Sequence, residues 1–500
     1  MQYNSTRNKD ISISSAEAIK KGLSDDGGLF VPKSFPEISV SQIQKFAKTD
    51  YRQRAFEILS LFLTDFTKQE LKSCIDKAYT KEKFGTDNIA PVYKLSDKAY
   101  VLELWHGPTC AFKDMALQIL PHLLTTSMKK TNEDKEVVIL VATSGDTGKA
   151  ALEGFADVEG TRIVVFYPDN SVSEIQKLQM ITQTGNNVCV SAVSGNFDDA
   201  QNGVKKIFTD NGYKNILSSN NFKLSSANSI NWGRLVPQIV YYFSAYCDML
   251  EAGEIELGEK VNIVVPTGNF GNILAAYYAH KMGLPVNKFI CASNKNNILT
   301  DFIRTGVYDK NRDFHTTISP SMDILISSNL ERLLYDLSGE DEDLVKSWMH
   351  ELLENGRYEV NESVRDKISN LFYAGFADDD ETLAEIKECF DEYGYVPDTH
   401  TAVALSVYKK YLSESNDASK TIIASTASPF KFNQSVLIAL KGCAFVAGKD
   451  EFTLLSELNE ISGMDIPKSL AELKDKAKIF DTVCDKDSML QVVSDFLQIG

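Results

Sequence analysis

Lys113 lies in HGPTCAFKDMALQ (106–118), a cation among small and apolar residues where a helix begins. A cation in the first turn of a helix opposes the positive end of the helix dipole. Two readings follow. In one, Lys113 is a solvated surface lysine paired with the adjacent Asp114. In the other, Phe112, Met115 and Ala116 bury it. Burial disfavours the charged amine and frees its nitrogen to attack a carbonyl.

Three other stretches place small polar residues at the end of a β-branched run, where open α/β sheets bind ligands. After VVILVA come Thr143, Ser144, Gly145, Asp146, Thr147 and Gly148, ahead of a helical segment. Such a loop is either an anion site or an ordinary capped turn. It is not a nucleotide P-loop: two residues, not four, separate Gly145 from Gly148, and Ala150 follows Lys149. After VNIVVP and Thr267 come Gly268, Asn269, Phe270, Gly271 and Asn272, either a glycine turn with no ligand or a backbone that its glycines let curl round a phosphate. The third run ends in Ser425, Thr426 and Ser428, which read by themselves as a serine-rich turn before Pro429 or as neutral hydroxyls that offer a ligand no carboxylate. A desolvated lysine, a phosphate cup, a loop for a second anion and a hydroxyl to face a ring nitrogen together describe a pyridoxal-phosphate site.

In SSANSINWGR, Ser226, Asn228, Ser229, Asn231 and Arg234 precede an aromatic helix. They either grip a substrate phosphate by charge-assisted hydrogen bonds or form a capping turn with a surface arginine. His400 reads as a packed or a catalytic histidine.

The elements that must carry these residues follow from periodicity. Up to about residue 95 the spacing is helical, as in RAFEILSLFLTDF and ELKSCIDKAY. Beyond Tyr100, apolar runs alternate with helical stretches: 137–142, 162–168, 187–193, 261–266, 288–293 and 421–425. Continuous apolar strands separated by helices predict parallel sheets covered on both faces, a doubly wound α/β fold. The expected division is a mostly helical domain over 1–96, a small α/β domain over 137–229, and a large α/β domain over 97–136 and 230–500. A helical insertion without a clear strand is expected at 329–395. LAELKDKAKIF and SMLQVVSDFL read as amphipathic helices.

Five hundred residues exceed one core, so more than one domain is expected. The net charge of −17 argues against a sequence-blind nucleic-acid binder. No apolar run approaches the ~18 residues of a membrane span, and MQYNSTRNKD carries no secretory core. Eight scattered cysteines without C-x-x-C, and six unclustered histidines, point to no disulfide scaffold and no metal site. The expectation is a cytoplasmic protein that binds neither nucleic acid nor membrane.

Across nearly its whole length the chain resembles the threonine synthases, pyridoxal-phosphate enzymes of the tryptophan-synthase-β structural group (fold type II). The resemblance rests on YNSTR (3–7), GLSDDGGLFVP (22–32), ELWHGPTCAFKD, TSGDTG, SSANSINWGRLVPQIVYYF (225–243), PTGNFGN, THTAVAL (399–405) and STASPFKF (425–432). It departs from the family pattern at Ser428, where many relatives carry histidine, and at Asp398-Thr399 before His400, where proline is common. The resemblance implies that Lys113 tethers the cofactor and that Gly268 to Asn272 cup its phosphate. It puts Asp146 near the phenolic oxygen and Thr426 at the pyridine nitrogen. It assigns the substrate carboxylate to Thr143, Ser144, Gly145 and Thr147. The implied reaction is O-phospho-L-homoserine and water to L-threonine and phosphate, the last step of threonine biosynthesis. The alternative is a related phospholyase that releases 2-oxobutyrate and phosphate.

Overall fold

The computed structural model describes residues 1–143, 145–169 and 172–499, with the backbone alone at residue 198. Its strands in chain order are β1 (Tyr3–Ser5), β2 (Asn8–Ile13), β3 (Phe30–Pro32), β4 (Val92–Lys94), β5 (Ala99–Glu103), β6 (Glu136–Ala142), β7 (Thr161–Pro168) and β8 (Val188–Ser194). They continue as β9 (Phe222–Ser225), β10 (Val261–Pro266), β11 (Val286–Ser293), β12 (Val307–Asp309), β13 (Arg357–Glu359), β14 (Phe372–Phe376), β15 (Thr421–Ser425) and β16 (Val483–Asp485).

Two sheets organise the molecule. The larger has the order β14-β11-β10-β15-β5-β4, and the smaller β16-β8-β7-β6-β9. Every pairing in them is parallel except β4 with β5. VNIVVP is buried at all six positions and TIIAS at all five, because helices cover both faces. Register aligns Val264 with Ile423, and Ile423 with Val101. The carboxyl ends of β10, β15 and β5 therefore reach one edge together.

Four expectations need correction. Helices Ser15–Lys21, Val40–Phe46, Tyr51–Phe62 and Lys68–Ala78 dominate the amino-terminal part, but β2-β1-β3 add an antiparallel sheet there, and β4 within 1–96 pairs into the large sheet. The stretch 329–395 is not free of strands: β14 is the edge of the large sheet, and β13 pairs with β12. Residues 230–500 do not all stay in the large domain, since β16 joins the small sheet beside β8. LAELKDKAKIF is helical only to Ala471, followed by a 3-10 turn at Glu472–Lys474.

The amino-terminal motifs act as a clamp. Arg7 donates in bidentate fashion to Glu331 (2.9 and 2.7 Å), and the Thr6 hydroxyl donates to the same carboxylate. The neighbouring Arg332 is fully buried; it donates to the main-chain oxygens of Phe30 and Ile230 and to Asn329 Oδ1. YNSTR and GLFVP thus hold the helix Leu330–Leu337, and with it the loop that borders the Gly268–Asn272 turn.

Candidate active site

Lys113 is placed by an antiparallel contact between two loops. Phe112 N–H donates to the Thr426 oxygen (2.8 Å), Ser428 N–H donates to the Cys110 oxygen (3.1 Å), and Ala111 bridges Ala427. Asp114 does not pair with Lys113. Its carboxylate accepts the Thr109 N–H (2.8 Å) and hydroxyl (2.7 Å) and so shapes the loop. The Lys113 side chain is buried, and its Nζ donates to Ser321 Oγ (3.2 Å) and Asp146 Oδ2 (3.3 Å). Burial lowers the pKa of this amine, and the nearby Lys431 and Arg234 act in the same direction against Asp146. The desolvated reading of Lys113 describes its surroundings, and the surface reading does not.

Asp146 opens the helix Asp146–Phe155 that follows β6. Its Oδ1 accepts from Lys431 Nζ (2.5 Å) and Gln176 Nε2 (2.9 Å). Burial would raise this carboxyl, but Lys431, Lys113 and the Gln176 bond together hold it well below the usual carboxylate range. Gly145 has φ +139°, and a Cβ there would lie 2.5 Å from the Gln176 amide, so only glycine fits. The Thr143 hydroxyl accepts from the N–H groups of Gly145 and Gly148 (3.0 and 2.9 Å), which makes it the scaffold of the loop. Thr147 is half-buried in the first helical turn. Ser144 lies outside the described residues.

The cup lies between β10 and the helix Gly271–Lys281. Phe270, in the left-handed region at φ +61°, caps that helix with no side-chain hydrogen bond, leaving first-turn N–H groups for a ligand. Its ring is buried in the core, so it contributes backbone only. Asn272 Oδ1 accepts from the Tyr241 (2.9 Å) and Tyr242 hydroxyls, while its buried Nδ2 has no partner. A Cβ on Gly271 would lie 3.4 Å from Asn329 Nδ2 and 3.9 Å from Gln238 Nε2. The Asn269 oxygen accepts from the Asn329 N–H and amide (both 3.0 Å), and the Gly268 oxygen from the Ser327 hydroxyl (2.7 Å). A side-chain donor without an acceptor beside a bare helix terminus fits a phosphate.

Asn231 caps the helix Trp232–Glu251: its Oδ1 accepts from Gly233 N–H (2.8 Å), and its Nδ2 donates to the oxygens of Ile19 (3.0 Å) and Ser226 (3.3 Å). Both ends of that amide are engaged by the fold, so Asn231 positions its segment instead of presenting a free donor. Arg234 is not a surface arginine. It is buried, one nitrogen donates to the Ala227 oxygen (2.8 Å), and its Nε is buried without a partner. Burial pulls its pKa down to about 10. Asn228 is exposed, and the Ser226 hydroxyl accepts its N–H (3.1 Å).

Among the three hydroxyls at the carboxyl end of β15, Ser425 is engaged by Trp105 Nε1 and the Thr401 hydroxyl (both 3.0 Å), and Ser428 caps the turn at Phe430. Thr426 is buried on the loop that holds Lys113 and has no side-chain partner among the described residues. Three residues of the site carried no signal that sequence reasoning used. Lys431, fully buried, also donates to the Thr109 oxygen (3.0 Å), and its trace was a lysine inside the apolar run PFKF. Gln176 and Ser321 come from distant segments.

The matched family descriptions follow one another along the chain. "Threonine synthase N terminus" covers residues 2–79, "Pyridoxal-phosphate dependent enzyme" 89–363, and "Threonine synthase, C-terminal" 401–493. The human protein "Threonine synthase-like 1" is 42% identical over 436 residues, 85% of this chain; the chain spans only 58% of that relative's length. Threonine synthase of Saccharomyces cerevisiae is 37% identical over 468 residues, covering 88% of this chain and 89% of the yeast protein. The solved structure of PLP-bound threonine synthase from Brucella melitensis superposes with a TM-score of 0.88 at 34% identity, covering 100% of this chain and 99% of the other. The fold is thus that of fold-type II pyridoxal-phosphate enzymes, and the Lys113 amine, the bare helix terminus and the orphaned Asn272 amide fit that cofactor. The chain belongs to the threonine synthase family of pyridoxal-phosphate dependent enzymes.

Proposed function

We propose that the protein is a threonine synthase, a lyase that converts O-phospho-L-homoserine and water to L-threonine and phosphate. The observation that carries this reading is a surplus of buried positive charge. Lys431 and Arg234 are buried cations that both act on Lys113; Asp146, bonded to Lys113 and Lys431, offsets one charge, while Arg234 has no carboxylate partner among the described residues and its Nε is unpaired. Buried charge without a counter-charge is costly, so such a pocket is built for an anion. The cup at Gly271 and Asn272 suits the cofactor phosphate, and Arg234 with Ser226 and Asn228 suits a second, substrate-borne phosphate.

Lys113 would tether the cofactor, because burial favours its neutral, nucleophilic form. Bound pyridoxal phosphate supplies an electron sink next to the substrate amine. The released Lys113 amine would then act as the general base and acid for protons at Cα, Cβ and Cγ. Asp146, kept ionised by Lys431, would orient the cofactor's phenolic edge. Thr426 would face the ring nitrogen with a neutral hydroxyl, which supplies no charge to hold that nitrogen protonated and keeps the sink moderate. The first turn of the helix Asp146–Phe155, with Thr147 and the loop 143–145, would receive the substrate carboxylate. Arg234 would hold the phosphate as it leaves Cγ. The reaction would be the last step of threonine biosynthesis. The eight cysteines, all free, support a reducing compartment such as the cytoplasm.

One observation favours a second reading. Identity to threonine synthase-like 1 (42%) exceeds that to the yeast synthase (37%). A phospholyase releasing 2-oxobutyrate would use the same residues. Incubation with O-phosphohomoserine, with threonine, 2-oxobutyrate and phosphate all measured, tests both. Threonine and phosphate in equal amounts are expected; phosphate matched by 2-oxobutyrate would favour the second reading, and no phosphate would defeat both.

A further inference from the structure

The 3-10 turn Pro320–Met322 brings a hydroxyl against the lysine. Ser321 Oγ lies 3.2 Å from Lys113 Nζ and 3.3 Å from Asp146 Oδ2. The turn is held on three sides. Ser321 N–H donates to His400 Nε2 (3.1 Å). Because the Ser321 N–H can only donate, His400 Nε2 is the acceptor and Nδ1–H is the donor to Asp398 Oδ1 (2.8 Å). Asp398 also accepts the N–H groups of His400 (2.9 Å) and Thr401 (3.3 Å), so its carboxylate is fully engaged. On the other flank, Asp323 accepts from the Asn294 and Asn296 amides (2.7 and 2.9 Å) and from the Thr317 hydroxyl and N–H (2.8 and 3.0 Å). The main-chain oxygen of Ser321 packs where a Cβ on Gly268 would come within 2.6 Å of it, so the turn is also pressed against the cup.

The two partners of Lys113 differ in kind. Ionised Asp146 can only accept a hydrogen bond and therefore favours the charged amine. A hydroxyl can accept from an ammonium and donate to an amine lone pair. A lysine that alternates between base and acid needs a partner that serves both states, and Ser321 is positioned to do so by rotating its hydroxyl, with no proton transferred to it. We propose that Ser321 is a catalytic residue that receives the Lys113 amine whenever that amine is free of cofactor, and that His400 is the positioning residue that aims it. The proposal rests on the reading of Lys113 as tether and base.

The test compares Ser321→Ala, Ser321→Thr, His400→Leu and the Ser321→Ala/His400→Leu double variant with the parent. The first readout is kcat and KM with O-phosphohomoserine. The second needs no turnover: the rate at which cofactor-free full-length protein takes up pyridoxal phosphate, followed by absorbance across pH. Its acid limb reports the Lys113 amine, which faces Asp146, Lys431 and Arg234. Ser321→Ala is expected to lower kcat on the order of 10- to 100-fold with KM little changed, as a misplaced reacting group does. It is also expected to move the uptake limb to lower pH, because the ammonium loses the stronger, charge-assisted bond. Ser321→Thr should restore both, and the double variant should be no worse than Ser321→Ala, since the two residues act as one unit. A kcat within twofold of the parent, an unmoved limb, or an additive double variant would each overturn the proposal. If the parent does not turn over O-phosphohomoserine, the functional reading fails while the uptake limb still decides the role of Ser321.

Discussion

Lys431→Met removes the cation closest to Asp146 while keeping much of the side-chain volume. Lys431 Nζ lies 2.5 Å from Asp146 Oδ1, whereas Lys113 Nζ lies 3.3 Å from Oδ2. With an effective dielectric of about 20, these separations correspond to gross attractions of about 7 and about 5 kcal/mol, so Lys431 carries the larger share. Breaking a buried pair from one side costs about 3–5 kcal/mol. Lys113 and Gln176 stay on Asp146, so the low end, about 3 kcal/mol, is expected. The second effect is on Lys113. Without Lys431 it loses a repelling neighbour and becomes the sole cation bonded to Asp146, so its ammonium form is favoured. The acid limb of pyridoxal-phosphate uptake should therefore move to higher pH, opposite in sign to Ser321→Ala. Thermal unfolding and uptake rate across pH are the assays. A limb that stays in place or moves down in the methionine variant would refute the charge-sharing argument, as would an unchanged melting midpoint.

Lys113→Ala should abolish turnover and the visible absorbance of bound cofactor together while the protein still folds, because Lys431 continues to neutralise Asp146; turnover near the parent rate would exclude Lys113 as the base. Gly271→Val should weaken pyridoxal-phosphate binding about tenfold or more, a loss of about 1.4 kcal/mol, since a branched side chain would fill the space facing Asn329 and Gln238; equilibrium binding of the cofactor checks this. Asp114 yields a pH dependence. Burial pushes its carboxyl from 3.8 up to about 6, despite the bonds from Thr109. A carboxyl raised in the folded state stabilises the fold while protonated, and that contribution, about 3 kcal/mol, is lost as pH rises through about 6. The melting midpoint of the parent should fall relative to Asp114→Asn between about pH 4 and pH 6.5; a constant difference would show that Asp114 stays ionised throughout that range.

The central strands were legible because a parallel strand covered on both faces has to be apolar along its length. VNIVVP and TIIAS are strands with those bounds, β10 and β15. β14 (FYAGF) and β16 (VCD) escaped notice because short edge strands need no such run, and β14 includes a glycine. The helix expected in LAELKDKAKIF has the right spacing of apolar residues, yet the chain leaves the helix after Ala471. Ile479 and Phe480 then bond the Ile181 oxygen on the way to the small sheet. Which sheet a late segment joins is set by contacts some 290 residues apart in sequence, as between β8 and β16, and local periodicity holds no record of them.

The same division runs through the site. Spacing and residue type were enough to single out Lys113, the glycine turn at Gly268–Asn272, the loop around Asp146 and the run of hydroxyls Ser425, Thr426 and Ser428, because glycines at a strand end and a lysine among apolar neighbours are local properties; the choice of Thr426 among the three came from the family resemblance. Tertiary structure decided what each of them touches. Sequence adjacency offered Asp114 as the partner of Lys113, but Asp114 turns back to Thr109, and Asp146, 33 residues away, takes its place. Asn231 and Arg234 come from one short motif, yet a helix cap engages the first and burial leaves the second with an unpaired donor. Lys431, Gln176 and Ser321 complete the surroundings of Lys113 and Asp146 from three separate segments. The reason is physical: a chemical group is specified by its own residue, whereas its charge state and its bonding partners depend on burial and on what the fold brings within about 3 Å.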